Sequence, residues 1–415
     1  MRREWILFKS LSPSPDMNDT KHKRRDKEMV IFLKGVLETL DYFIHCMAEG
    51  VNDADIMDVT EQTFIQRLLE MDSQIDRTTD VITFNNVGIE VRVKGEENYW
   101  EIKKVKLHNI LVDAPAWYEK VLKYDFKCMQ IITIDRYHKE FINKYFPNYA
   151  SVQFLPHGGA KLPETEQIAY EDRQIDVLYV GNRAECLGEN NQYSFLPDKG
   201  RELFETARQL LIKYPHMTLE TIYDLYMNEI GIGLIQDAEL DVIHTLYGEI
   251  LWAVRGYYQG KVIEALAASG IHVEIYSSGW EDVAEKYPDY VHTHERISPE
   301  ECIRLICNSK ITLNVQPWFK YGAHERIYNA MLNGSVCVTD TSEYLKKYFQ
   351  NGKNIVFYEL NQLDNLVKNV HLLLENPGFA KSIIENQKKA VVGSAWSNRL
   401  HNILEQRFEE GVDFI

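Results

Sequence analysis

The chain is short of cysteine, of long apolar runs and of positive charge, and each shortage removes a class of protein. Six cysteines, Cys46, Cys128, Cys186, Cys302, Cys307 and Cys337, are scattered over 415 residues. None forms a CxxC pair, and no His cluster beside Cys302 and Cys307 completes a zinc set. Free thiols in a reducing compartment are the reading, so a cytoplasmic location is expected. No stretch approaches the length of a membrane-crossing helix. The apolar run near the N-terminus is too short for the core of a signal peptide. Forty-six Lys and Arg face 62 Asp and Glu, a net charge of -16. That excludes nucleic acid as the main partner, because a phosphate backbone demands a basic face. A phosphate-bearing ligand would need a locally positive pocket. Also missing are an internal repeat and a complete dinucleotide fingerprint: Gly231-Ile232-Gly233 follows no strand. Asp53-Ala54-Asp55 has the spacing of a metal motif but sits in a polar turn before a weak strand, and no metal is assigned.

The 45% hydrophobic and 26% charged residues are ordinary for a globular protein with real cores. The length favours two domains. The stretch Leu313 to Thr341 organises the reading. An apolar strand end passes through a loop with Gly322 into a helix whose apolar face is Ile327, Ala330 and Met331. Asn333-Gly334 stops the helix, and SVCVTD follows as a buried strand. This is a βαβ unit of a parallel sheet. A loop entering a helix at a strand's C-terminal edge is where such sheets bind phosphates, and His324 and Arg326 occupy the first turn.

Upstream, Trp5 to Leu11 reads as a strand and Met29 to Met47 as a helix. The basic cluster Lys21 to Arg25 between them reads as a solvated loop, with contact to an acceptor or a membrane surface as the other reading. Apolar runs at 80–84, 109–112, 130–134 and 152–155 end in Asn85, Asp113, Asp135 and His157. These four side chains are expected on one rim, where an acid and an imidazole could do acid–base work. Residues 161–174 read as a linker. IDVLYV at 175–180 then runs into Gly181-Asn182-Arg183, and a second strand, IHVEIY at 271–276, runs into Ser277-Ser278-Gly279-Trp280.

Taken in order, these segments resemble a known family. IDVLYVGN (175–182), GYYQGKVIEAL (256–266), VEIYSSGWED (273–282), SPEECIRLICNSKITLNVQPWF (298–319), GAHERIYNAMLNGSVCVTD (322–340) and a late W-x-x-R (396–399) are similar to the CgeB-like (spore maturation protein) branch of the group 1 glycosyltransferases. ITFNN, ILVDAP, IITIDR and FLPHGG are similar to the N-terminal domain that accompanies them. The resemblance implies an α/β GT-B fold, two Rossmann-like domains facing across a deep cleft: an acceptor-side domain (1–165), a nucleotide-sugar-binding domain (166–395) and a final helix (396–415) crossing back. It implies transfer of a sugar from a nucleotide-diphosphate donor, expected to be UDP-type, with no cofactor and no metal. The acceptor would be a glycan, a lipid-linked sugar, met at the membrane surface, or a protein.

The resemblance assigns the diphosphate end to Gly322, His324 and Arg326, with Gly181, Arg183 and Lys199 opposite and Ser278, Gly279 and Trp280 at the donor edge. The E-x7-E pair of related enzymes falls on Tyr321 and Asn329. Asn329 can still bond ribose hydroxyls. Arg326 is the candidate for stabilising the leaving group, and Asp113 or His157 would be the base of an inverting reaction; a retaining one does not require a separate base. Two rival readings stand beside transfer: a non-catalytic nucleotide- or sugar-binding module, favoured by Tyr321 and Asn329, and a nucleotide-sugar epimerase.

Overall fold

The computed structural model describes residues 5–7, 29–93, 97–124, 126–183, 198–229 and 236–408. The basic cluster at 21–25, Cys186 and Gly231-Ile232-Gly233 lie outside the described residues.

Two parallel six-stranded sheets carry the fold. The first is built from β1 (Val30–Lys34), β2 (Asp55–Asp58), β3 (Asp80–Phe84), β4 (Lys106–Leu111), β5 (Met129–Thr133) and β6 (Val152–Phe154), in the order β2-β1-β3-β4-β5-β6. The second comprises β7 (Ile175–Val180), β8 (Val273–Tyr276), β9 (Val291–His294), β10 (Ser309–Asn314), β11 (Val336–Asp340) and β12 (Val356–Tyr358), in the order β9-β8-β7-β10-β11-β12. Strands covered by helices on both faces must be apolar on both. VIFLK, DVITF and VCVTD obey this, with almost every residue buried. In each sheet the strand order reverses once, at β1/β3 and at β7/β10. Loops diverge at such a reversal and leave a crevice.

The helices that matter to the site are α1 (Glu38–Ala48), α2 (Arg136–Tyr145), α3 (Gln236–Ala268), α4 (Pro299–Cys307), α5 (Glu325–Leu332) and α6 (Trp396–Leu404). Ser298 and Glu301 close a capping box on α4, so its first turn is fixed locally. Asp135 caps α2.

One expected element is corrected. Residues 29–47 are not a single helix: VIFLK is strand β1, second from the edge of the first sheet, Gly35 at φ +116° turns the chain, and only then does α1 begin. A short apolar run fits either period, and the glycine was the deciding signal. Trp5–Leu7 is a strand, but it pairs with Val91–Val93 in a separate two-stranded sheet.

Three of the ties between the halves bear on the site. Asp135 accepts the backbone N–H of Tyr137 (2.8 Å) on Oδ1, and those of Lys320 (2.9 Å) and Tyr321 (3.0 Å) on Oδ2. It therefore caps α2 and latches the loop after β10 in one act. Asn329 Oδ1 accepts from Ala160 N (2.8 Å) and Asn333 Oδ1 from Leu162 N (2.9 Å), which pins the segment joining the sheets to α5. Finally, α6 packs against α1: Trp396 is 1% exposed and lies 5.0 Å from the Phe43 ring and 5.3 Å from Phe84.

Candidate functional site

Four strand ends of the second sheet converge. β7 runs into Gly181-Asn182, β8 into Ser277-Ser278, β9 into Arg296–Pro299, and the loop after β10 into His324–Asn329. Together with Thr39, Tyr42 and Phe43 of α1 and Arg255 of α3 they line a cavity of about 450 Å³. It lies over the β7/β10 reversal, the usual ligand position of an open α/β sheet.

Arg326 forms part of its wall. Nη1 donates to Asn314 Oδ1 at 2.7 Å, and the guanidinium lies 5.2 Å from the centre of the Tyr179 ring. A Cβ on Gly181 would stand 3.3 Å from Nη2, so a glycine there lets the β7 loop lie close against the cation. Beside it, His324 Nδ1 is 2.7 Å from Glu325 Oε2. Burial lowers the His324 pKa, so the ring is neutral and Nδ1–H donates to the carboxylate. Arg326 N, 3.3 Å from the same atom, then finds no acceptor in it. Burial alone would raise the Glu325 carboxyl. Its neighbours His324, His157 and Arg326 outweigh that and hold it well below the usual carboxylate range. Glu325 is thus an anion held by the His324 N–H and by Arg326.

A second cavity, about 260 Å³, adjoins the first. Thr39, Phe43, Arg255, Arg296, His324 and Glu325 line both. The first sheet contributes Asn85, Asp113 and His157, three of the four expected rim residues; Trp117, His138, Trp252 and Trp318 complete much of the wall. Asp113 Oδ2 accepts from Asn85 Nδ2 (2.8 Å) and Tyr118 Oη (3.0 Å). Burial nevertheless raises its pKa. His157 is sealed by Trp396 at 5.6 Å and Phe43 at 6.1 Å, and burial drives its pKa down to about 3; His138 falls to about 4 for the same reason.

The other expected site residues divide. Gly181, Ser278, His324, Arg326 and Asn329 line the first cavity. Asn329 Oδ1 is already engaged by Ala160 N. Gly322 lines neither cavity. It pairs with Asp135 across the halves, where a Cβ would meet the Ile134 carbonyl at 2.5 Å. Asp135 is a latch and not a rim residue. Tyr321 Oη is held by Lys347 at 3.3 Å, away from both cavities. Arg183 turns aside too, bonding Asp282 at 2.6 Å and lying 5.8 Å from the Trp280 ring centre. Trp280 is buried and donates from Nε1 to the Gly181 carbonyl (3.0 Å), so it props the β7 loop from behind. Gly279, at φ +85°, approaches the Arg183 carbonyl too closely for a Cβ. Lys199 lies on the helix Asp198–Lys213, and its side chain is outside the described residues. Among the described residues no cluster of three His, Cys, Asp or Glu could hold a metal ion, and Asp55 pairs with Arg67 at 3.2 Å.

Reading the sequence missed Glu325, Arg255 and Arg296. Glu325 stood between two chosen residues. Arg255 had a signal of its own, as a lone cation inside the apolar helical run LWAVRGYY.

The two facing Rossmann-like sheets, with the cavities between them, make this a GT-B fold. Residues 259–405, about a third of the chain, match the glycosyl transferase-like family. Among solved structures the chain is similar to Alr3699/HepE of Anabaena in complex with UDP-glucose, at 9% identity over 91% of this chain and 99% of that one, with a TM-score of 0.50. It is also similar to a glycosyltransferase from Rickettsia africae (10% identity, 92% and 98% covered, TM-score 0.49). A further structure is TarM of S. aureus (10% identity, 81% of this chain, TM-score 0.41); this chain spans 57% of TarM's length. Among curated proteins none matches the sequence.

Proposed function

We propose that the protein transfers a sugar from a nucleotide-diphosphate donor, UDP-type, to an acceptor entering the second cavity. The observation that carries the reading is the shared wall. The 450 Å³ cavity at the β7/β10 reversal holds Arg255, Arg296 and Arg326, and opens onto a cavity to whose lining the first half adds Asp113, His138 and His157. Breaking the anomeric C–O bond leaves a diphosphate with growing negative charge, and fixed cations in a water-poor cleft favour that charge. The family match at 259–405 covers α5, Arg296 and Arg326, and stops short of Arg255. One neighbour, HepE in complex with UDP-glucose, supports the donor class. The finer placement in the CgeB-like branch, and the domains 1–165, 166–395 and 396–415, belong to the same proposal and rest on the ordered motifs.

Of the two base candidates Asp113 is the stronger. Burial makes it more basic than an ordinary carboxylate, whereas His157, held near 3, is a weak base. Asp113 serves as base if the reaction inverts; Glu325, ionised beside the donor pocket, faces the positive charge that builds on the sugar. The non-catalytic reading keeps one specific support, the absence of glutamate at Tyr321 and Asn329.

The test is thermal unfolding against UDP, GDP, ADP, CDP and dTDP. A ligand at a hundred times its dissociation constant stabilises by about 2.7 kcal/mol, a rise of roughly 5–10 °C. UDP is expected to give it. A cooperative melt that no nucleotide moves would sink the donor assignment and bring the non-catalytic module forward.

A further inference from the structure

One cation of the shared wall has no close ion-pair partner. Arg255 lines both cavities. Among the described residues no carboxylate pairs with it, and its Nε is buried without a hydrogen-bond partner. What holds it is aromatic: its guanidinium lies 4.8 Å from the ring centre of Trp252 and 4.5 Å from that of Trp318. Indole faces fix a cation without neutralising it. A charge set this deep with no ion pair is costly: burial lowers its pKa and Arg326, across the same cavity, adds to that, while Glu325 and Asp113 offset it only from beyond ion-pair distance. An anion between the two guanidinium groups would relieve both.

The clamp is also built from both halves of the molecule. Trp117, which follows β4 of the first sheet, stacks on Trp252 with ring centres 6.2 Å apart and planes inclined by 6°. It reaches α3 because Gly248 leaves room: a Cβ there would meet Trp117 Nε1 at 2.9 Å. The order Trp117, Trp252, Arg255, Trp318 therefore runs from one half into the cavity of the other.

Building on the donor reading, we infer that Arg255 is the second cation on the leaving diphosphate, opposite Arg326, and that Trp117 positions it from the facing half. The diphosphate then meets a complete pair of cations only when the two halves are together.

The experiment is calorimetric titration of UDP and of UMP into the wild type, Arg255→Ala, Arg255→Lys, Trp117→Ala and Trp117→Phe, each checked for a cooperative melt. Arg255→Gln, which keeps a planar group in the clamp, replaces the alanine variant if that does not fold. Wild type should prefer UDP over UMP by about tenfold or more, as charge-assisted bonds to the second phosphate require. Arg255→Ala should bring the ratio of the two dissociation constants towards one, with Lys recovering part of it. Trp117→Ala should weaken UDP by about threefold or more with UMP unchanged, as the loss of the ring stacked behind the Trp252 face that holds Arg255 predicts, and Phe should restore it. An unchanged UDP/UMP ratio in Arg255→Ala overturns the assignment, and assigns the cation to an acidic acceptor group if one binds the second cavity. UDP binding in Trp117→Ala equal to wild type overturns the positioning role. A wild type that binds neither nucleotide is a different result: it overturns the donor reading itself, and this inference with it.

Discussion

The docking of α6 on the first half can be tested by a double-mutant cycle between Gly158 and Trp396. A Cβ on Gly158 would lie 2.6 Å from Trp396 Cδ2 and 2.8 Å from Cε3 and Cγ. The φ angle of Gly158 is not in the left-handed range, so the obstacle is the indole alone. Gly158→Ala should therefore cost about 1–3 kcal/mol, the range for forcing a methyl into a packed core. Trp396→Ala empties a site packed by Phe43, Phe84 and His157, at about 3–5 kcal/mol. In the double variant the methyl meets no indole, so Gly158→Ala should become nearly neutral. The predicted coupling is about 1–3 kcal/mol, well outside the ~0.5 kcal/mol scatter of independent sites. Urea unfolding of the four proteins, with a constant m-value, measures it. Additive losses would refute the contact and, with it, the placement of His157 in the wall, since Gly158 follows it directly.

Three further outcomes are expected. His138 and His157 have folded pKa values lowered to about 4 and about 3, so they stabilise fully above the unfolded value near 6.5 and lose that contribution as pH falls towards the folded values. Between pH 7 and 5 each should cost about 2 kcal/mol. Asp135 and Asp340, raised to about 6 and about 7, act in the opposite sense, so the measurement is the difference between wild type and His157→Gln, whose melt should fall less on acidification; parallel curves would contradict the burial argument. Asp135→Ala leaves three backbone N–H groups without their acceptor. It should destabilise by about 3–6 kcal/mol, from a lost cap of about 1 and buried unpaired donors at about 1–3 each, and a loss under 1 in chemical denaturation would deny the latch. Glu325→Gln should cut turnover by about a hundredfold if the carboxylate faces developing positive charge, with UDP affinity changed little; unaltered kcat would remove it from the reaction.

The parallel sheets were legible because their strands are apolar on both faces and end in polar residues, as with β3, β5, β7 and β11. β1 was not, since VIFLK before a helix carries no period of its own. At the site, Arg326, His324 and Gly181 could be found from a local pattern of strand, loop and helix. Arg183, Trp280 and Gly322 lie off the cavity linings for a shared reason. Each is near the right strand end, but which way a side chain turns there depends on partners distant in sequence: Asp282 takes Arg183, Gly181 takes Trp280, and Asp135 faces Gly322. Arg255 reaches the cavity from the middle of a 33-residue helix, which no strand-end rule would find.

The central claim is that the cavity beside Arg326 holds a nucleoside diphosphate. Isothermal titration of UDP into wild type, Arg326→Lys and Arg326→Ala tests it directly, the lysine variant keeping the charge near Asn314. Saturable binding is predicted, weakened about 10- to 100-fold by Ala, the worth of a charge-assisted hydrogen bond, and less by Lys, while all three melts remain cooperative. Equal dissociation constants in the three proteins, or no binding by a folded wild type, would contradict the account.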